Sequence, residues 1–593
     1  MNPNDASSRV PLPLQEAFAR IKLQAGRADP LASLERVQVR SGALQEFRPL
    51  SETLEWELAQ LHWAASGLLP FVEAGVPFLV NNSGILSEHA AALLFTNCLE
   101  VPAAGPIKVL ELGAGTALFA RYFLDSFRRL CEQEHQDFFE RLVYYVTDRS
   151  MRTAEQWQER EQFADSAYAD KVRIGTCDAL HPSAFRAGTG EIVELARLRA
   201  VVCNYVLDVL PATVVRSSAS GPEELLIRTH LTDDRRLLAQ YTRRQPEEIA
   251  ALAQSGDAAE RSQLIPIVSL LEFETAFSAC RQHQALAVEA LTGAGEPVLL
   301  NHGALECLQA CGALLDAGGI ILVNDYGPVT AEQVSGHAVS QRFGPTTALG
   351  INFPFLERFL AARGYVVAAP ETDERRGIHS RLIMRAELPQ TIAAFRDRFG
   401  PAATDFFDVP YEEARRHVAA GRRNDALESY RLALARAPRA WHLSGEIAEF
   451  VGLQLRDYRA GRELIRAALE HNPWYSPWLW NVLGDILYLD QDVAGAHEAY
   501  LQAHKIHPQD VRTNLNLAYT QCEFGEYGAA LHALAAAFAA DVHGLYRARL
   551  LEKQQQILGA VSLRTLGEQE RLVRRAQRMR APGLPAVREP SST

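Results

Sequence analysis

The sequence is short of what a disulfide-stapled, membrane-spanning or nucleic-acid-coating protein needs. Its eight cysteines, Cys98, Cys131, Cys177, Cys203, Cys280, Cys307, Cys311 and Cys522, form no C-x-x-C pair and sit mostly in apolar stretches. That pattern suits reduced thiols that pack as small core residues. Cys307 and Cys311 would share a helix face, but no histidine or second cysteine pair completes a ligand set, so no metal is expected. No apolar run is long enough for a bilayer span. Residues Met1 to Pro13 lack a charged segment followed by an apolar one, so neither a signal peptide nor a membrane partner is expected, and the cytoplasm is the expected location. Positive charge is in deficit, with 60 Lys and Arg against 72 Asp and Glu and a net charge of -12. A nucleic-acid partner, which calls for a basic face, is therefore not expected.

What is present is enough material for several cores. At 593 residues the chain exceeds the ~250–300 residues at which single cores stop growing. Residues 1–105 read as a helical lead-in, from the apolar spacing in LEWELAQLHWAASGLLPFV and EHAAALLFTNCL. From Ile107 short β-rich runs alternate with helical ones: IKVLELG, LVYYVTD, KVRIGTCD and LRAVVCNYVLD, with helices between. This alternation predicts a parallel, Rossmann-like α/β sheet over 106–388. It is interrupted by an insertion at about 212–297 and resumes with IILVNDYG and FPFLERFLAARGYVV. Insertions at the carboxyl edge of such a sheet usually shape a substrate site.

Beyond about residue 405 the chain repeats itself. Pro438, Pro473 and Pro508 recur at intervals of 35, each preceded by a helix with small residues in matching places, such as Ala426 and Ala433, Gly461 and Ala468, Ala496 and Ala503. A fourth unit follows, with Ala530 and Ala537. Short side chains let antiparallel helices approach closely, and the proline stops the second helix. The unit WNVLGDILYLDQDVAGAHEAYLQAHKIHP closely resembles a tetratricopeptide repeat, which implies an all-α array over 405–560 with a groove for a protein or peptide. Trp441, Trp474, Trp478 and Trp480 suit packing better than that groove. The tail 578–593 has the composition of a disordered end.

In the α/β region, Glu111-Leu112-Gly113-Ala114-Gly115 closes a strand and opens a helix, leaving backbone N–H groups unobstructed toward a ligand. A dinucleotide site would need glycine at 118 and an acid about 20 residues on; Leu118 and the distant Asp148 make that reading poor. E-L-G-A-G instead resembles the S-adenosylmethionine site of class I methyltransferases. The resemblance implies that Glu111 orients the cofactor's amino acid end and that Gly113 and Gly115 admit it. It implies further that Asp148 meets the ribose hydroxyls and Asp178 the adenine amino group. Each acid also has a plainer reading: Asp148 as a cap for the helix starting near Met151, Asp178 as a turn residue.

Asn204 to Pro211, NYVLDVLP, resembles the N-E-x-x-D-A-L-P segment of the MidA group, the mitochondrial complex I assembly methyltransferases and their bacterial relatives. Asp325-Tyr326-Gly327 is similar to that group's D-Y-G at the fifth strand. Tyr205 stands where the group has glutamate, and Ala117 replaces a common glycine. The resemblance implies catalytic roles for Asp208 and Asn204, with Asp208 placed to grip a guanidinium; Asp208 would equally serve as a cap before Pro211. The expected function is an S-adenosylmethionine-dependent methyltransferase acting on a protein, at arginine, recruited by the repeats. Two alternatives stay open: a non-catalytic repeat scaffold with a degenerate methyltransferase domain, and a small-molecule methyltransferase whose pocket the insertion forms. The oligomeric state is not legible.

Overall fold

The structure, a computed structural model, describes residues 43–73, 82–293, 297–336, 340–343, 345–371, 378–400, 408–541 and 544–580. It divides into one unit ending at Ser444 and a second beginning at Gly445.

In the first unit, β1 (Ala43–Pro49) precedes β2 (Ile107–Leu112), β3 (Leu142–Asp148), β4 (Val172–Asp178), β5 (His181–Ala187), β6 (Ile192–Glu194) and β7 (Leu198–Asn204). Then come β8 (Thr213–Ser218), β9 (Gly221–Leu231), β10 (Leu271–Ala279) and β11 (Val298–Leu300). Last are β12 (Leu315–Asp325), the hairpin β13 (Ser340–Phe343) and β14 (Thr346–Leu349), and β15 (Val366–Ala368) and β16 (His379–Met384). The main sheet runs β15-β16-β12-β7-β2-β3-β4-β5-β6. Its centre, β12, β7, β2, β3 and β4, is parallel, and β16 is antiparallel to β12.

Helices cover both faces of this sheet, so its central strands are apolar without alternation; every residue of β7 is buried. On one face the helix Leu118–Gln133 stacks Phe119, Phe123 and Phe127 at helical spacing, with Phe123 against Tyr144 of β3 at 5.2 Å. On the other face the helix His302–Leu314 buries Cys307 and Cys311 among Val201, Cys203 and Ile321. Strand order reverses direction between β2 and β7, so the crevice where such sheets bind ligands lies outside their carboxyl ends.

The stretch after Pro211 builds a second, antiparallel sheet, β1-β9-β8-β11 with β10 on β9. Its core joins Leu225, Ile227 and Phe273 to Leu54, Trp56 and Leu58. The lead-in is thus not wholly helical. The helices Leu54–Ser66 and Ile85–Glu100 form where the apolar spacing places them, but β1 is a strand because its burial alternates along β9.

The helical region begins within the first unit. Helices Asp408–Ala419 and Arg423–Arg436 belong there, and Arg439 just beyond them bonds Asp125 at 2.9 Å and the Ser126 hydroxyl at 2.9 Å. The second unit contains helices Tyr458–His471, Pro477–Leu489, Val493–Ile506, Val511–Glu523, Tyr527–Ala540 and Arg547–Arg580. Its glycines mark close approaches: a Cβ on Gly461 would lie 2.7 Å from the Gly452 Cα, and one on Gly484 would lie within the Tyr500 ring's contact distance. Trp478 and Trp480 donate to Glu449 and to the Pro473 carbonyl. The last helix continues to Arg580, past the expected end of the array near 560; most of the tail expected to be disordered lies outside the described residues. Among the described residues no helix is long and apolar enough to cross a membrane, and no group of three metal-ligating side chains converges.

Candidate active site

The glycine-rich turn leaves β2 in left-handed backbone. Gly113 has φ +59°, Gly115 +54° and Ala117 +54°, a region that disfavours any residue with a Cβ. A Cβ on Gly113 would lie 2.7 Å from Val206, and one on Gly115 2.8 Å from Phe71. Ala117 shows what its replacement of glycine entails: the same conformation is kept, with strain. The turn is fastened from outside. The Ala114 amide donates to the Thr147 carbonyl at 2.8 Å, Trp157 Nε1 to the Gly115 carbonyl at 2.9 Å, and Gln162 Nε2 to the Thr116 carbonyl at 2.9 Å. The Thr116 hydroxyl donates to Asn82 Oδ1 at 2.6 Å.

Three acids end three adjacent strands. Asp148, at the end of β3, accepts from the Gly115 amide at 3.3 Å and the Ser150 amide at 3.0 Å. It thereby ties the glycine turn to the next crossover, and burial pushes its pKa up to about 6 against those bonds. Asp178, at the end of β4, is exposed; its Oδ1 accepts from the Leu180 amide at 3.0 Å, which is the turn role, and the carboxylate keeps further accepting capacity. Glu111 differs from the expectation. It is only 1% exposed, its carboxyl accepts from the Tyr144 hydroxyl at 3.0 Å, and burial raises its pKa to about 8. Its carboxyl faces Tyr144 of β3 rather than solvent.

At the ends of β7 and β12 the two remaining motifs meet. Asp325 accepts from the amides of Leu207 at 3.1 Å, Asp208 at 3.2 Å and Tyr326 at 2.9 Å. Gly327 is needed because a Cβ there would collide with the Ile351 backbone. Asn204 Oδ1 accepts from Asn324 Nδ2 at 2.8 Å, and the Ser380 hydroxyl donates to Asn324 Oδ1 at 2.7 Å. Tyr205, at φ +53°, turns its ring toward Tyr326, 6.4 Å between centroids. Asp208 and Asp325 are both buried. Burial raises Asp208 to about 7 against the pull of Tyr326, and burial with the nearby Asp208 raises Asp325 well above the carboxylate range. Among the described residues no lysine or arginine offsets either carboxyl.

Asn204 Nδ2 is buried without a hydrogen-bond partner, and the buried Tyr326 hydroxyl faces the Asp208 carboxyl. Buried polar atoms are nearly always paired, so the open amide of Asn204, at the same strand ends as Asp208 and Tyr326, leaves hydrogen-bonding capacity that a ligand could take up. The structure sets Asp208 beside Asp325 and Tyr326, ties Asn204 to Asn324, and couples the glycine turn to Asp148. Sequence reasoning treated Asp325 and Tyr326 only as strand-end residues, although D-Y-G was their signal. It missed Tyr144, Trp157, Gln162 and Asn82, which carry no motif.

Residues 91–348 match the profile of a family described as "Putative S-adenosyl-L-methionine-dependent methyltransferase". That segment contains Glu111, Gly113, Gly115, Asp148, Asp178, Asn204, Asp208 and Asp325. Among solved structures, the chain is similar to a Burkholderia thailandensis protein bound to S-adenosyl-homocysteine, at 16% identity, covering 64% of this chain and 96% of that one with a TM-score of 0.38. It is also similar to a native structure from the same superfamily and organism, at 17% identity, 63% and 96% coverage and a TM-score of 0.37. The helical region is similar to the MamA protein, at 12% identity, 26% and 91% coverage and a TM-score of 0.22. No curated protein matches the chain. The family match supports a methyltransferase, and S-adenosylmethionine is the cofactor of the matched segment.

Proposed function

We propose that this protein is a MidA-like methyltransferase that modifies a protein substrate, at an arginine nitrogen, and that the helical array is a tetratricopeptide-type module that recruits it. The observation that carries the reading is the buried pair Asp208 and Asp325, with the unpartnered Asn204 amide at the same strand ends. Two carboxyls with no offsetting cation suit a cationic group that arrives with its own donors.

The turn fits S-adenosylmethionine, since a Cβ at Gly113 or Gly115 would fill the approach to the backbone. Gly113 and Gly115 would let the cofactor lie against the turn, Asp148 would accept from its ribose hydroxyls and Asp178 from its adenine amino group. When bound, the cofactor supplies an electrophilic methyl on a sulfonium. Asp208 would accept the proton that the acceptor nitrogen gives up, and Asn204 Nδ2 and Tyr326 Oη would hold the acceptor's orientation. A pKa of about 7 for Asp208 makes the base form scarce below neutrality, so transfer rises with pH through about 7.

The test is transfer of labelled methyl from S-adenosylmethionine to proteins of a lysate, followed by hydrolysis and identification of the methylated residue. Methylarginine that falls about 100-fold with Asp208→Asn, while cofactor binding is retained, supports the reading. Undiminished transfer by Asp208→Asn contradicts it. Tyr205 in place of the group's glutamate favours the scaffold alternative, in which cofactor binds and no acceptor is ever labelled.

A further inference from the structure

The helix Arg547–Arg580 changes character along its length. In its first turns Leu550 and Ile557 are fully buried, Lys553 sits over the Tyr519 ring at 3.9 Å, and Arg564 reaches the Gly525 carbonyl at 3.3 Å. One face thus packs on the preceding helices. From Leu558 to Val573 no residue is buried.

At ~100° per residue, Leu551, Leu558, Leu566 and Val573 fall in one narrow sector, with Leu572 beside it. They are 46% to 64% exposed, and Leu563 at the margin is 73% exposed. This stripe lies well around the helix from Leu550 and Ile557, so it is not a continuation of the packed face. The packed face continues instead as Arg564, Arg571 and Arg575, with Arg574 and Arg575 toward the two edges of the stripe. Residues 558–580 hold six arginines and two glutamates in a chain of net charge -12. Glu568 and Glu570 pair with Arg564 at 3.3 Å and Arg574 at 3.6 Å, while Arg571 and Arg575 are exposed.

We propose that residues 558–575 form a surface-lying helix that docks the protein on an anionic lipid bilayer, with the leucine stripe entering the headgroup boundary and Arg571, Arg574 and Arg575 contacting lipid phosphates and carboxylates. Charge and apolarity together select this occupant. A second copy of the helix would need two apolar positions per heptad, whereas Gln554, Gln555, Ser562 and Gln569 interrupt the seam, and pairing would bring arginine rows together. A nucleic acid would use the arginines and leave the leucines in water. The absence of a spanning helix, from which no membrane partner was expected, does not bear on a helix that lies in the surface plane.

The test is cosedimentation of the full chain with vesicles of phosphatidylcholine alone and of phosphatidylcholine with about one third phosphatidylserine. Binding to the anionic vesicles should exceed binding to neutral ones by about tenfold or more and weaken in high salt. It should fall about tenfold in the double variant Leu566→Glu, Val573→Glu and likewise in Arg571→Glu, Arg575→Glu. All four side chains are exposed, so an unchanged melting temperature verifies that the variants fold. The proposal is overturned if folded wild type ignores anionic vesicles, if neutral vesicles bind equally, or if the leucine variant binds as wild type. It is also overturned if the leucine substitutions abolish only a lipid-free dimer, or if RNA binds equally well to wild type and leucine variant while the vesicles do not bind.

Discussion

Glu111, expected from the resemblance to orient the cofactor's amino acid end, is buried in this structure. An acid two places before a glycine turn signals a ligand site, but the side chain of a strand residue points to whichever face the register dictates, here toward Tyr144. Its pKa, raised by burial to about 8, has a consequence for stability. Between its unfolded value and about 8 the unfolded state releases a proton that the folded state keeps. Stability therefore falls as pH rises through that window, by up to about 1.4 kcal/mol per pH unit for each such group. Asp208 at about 7 and Asp148 at about 6 add to the slope over narrower ranges. Denaturant unfolding at pH 5, 6.5 and 8 should show that decline, and Glu111→Gln, which can still accept from Tyr144, should make it shallower. An unaltered slope in the variant would mean that Glu111 is ionised in the native state.

Elements were legible where periodicity and punctuation agree. The strands β2, β3, β4 and β7 and the proline-spaced helices formed where the pattern places them, because parallel buried strands and close-packed helix pairs each impose a strong local composition. The strand β1 was not legible: seven residues, half-exposed, stabilised by pairing with a strand about 180 residues away, a contact that no local pattern encodes. The partners of the glycine turn were hidden for the same reason, since Trp157 and Gln162 act through single hydrogen bonds to its carbonyls. In the helical array, the small residues have a testable basis. Gly461→Ala would place a methyl 2.7 Å from the Gly452 Cα, and backbone against backbone leaves no side chain to move aside. A loss of about 1–3 kcal/mol in urea unfolding is expected; a change within ±0.5 kcal/mol would show that the two helices separate freely.

At the scale of the whole molecule, a family profile and a set of strand-end residues agree on one segment, 91–348. The helical array, proposed for substrate recruitment, and the last helix, proposed for docking, lie outside that segment. The central claim is that the turn Gly113–Ala117 with Asp148 and Asp178 holds S-adenosylmethionine, and it is tested most directly by calorimetric titration with S-adenosylmethionine and S-adenosylhomocysteine. Micromolar binding is predicted, worth about -8 kcal/mol. It should be abolished by Gly113→Arg, which combines a left-handed φ with a collision against Val206. It should weaken several-fold in Asp178→Ala, whose side chain is exposed and whose loss leaves the fold intact. Folded wild type that binds neither ligand, or an Asp178→Ala protein that binds as wild type, would contradict the site as assigned.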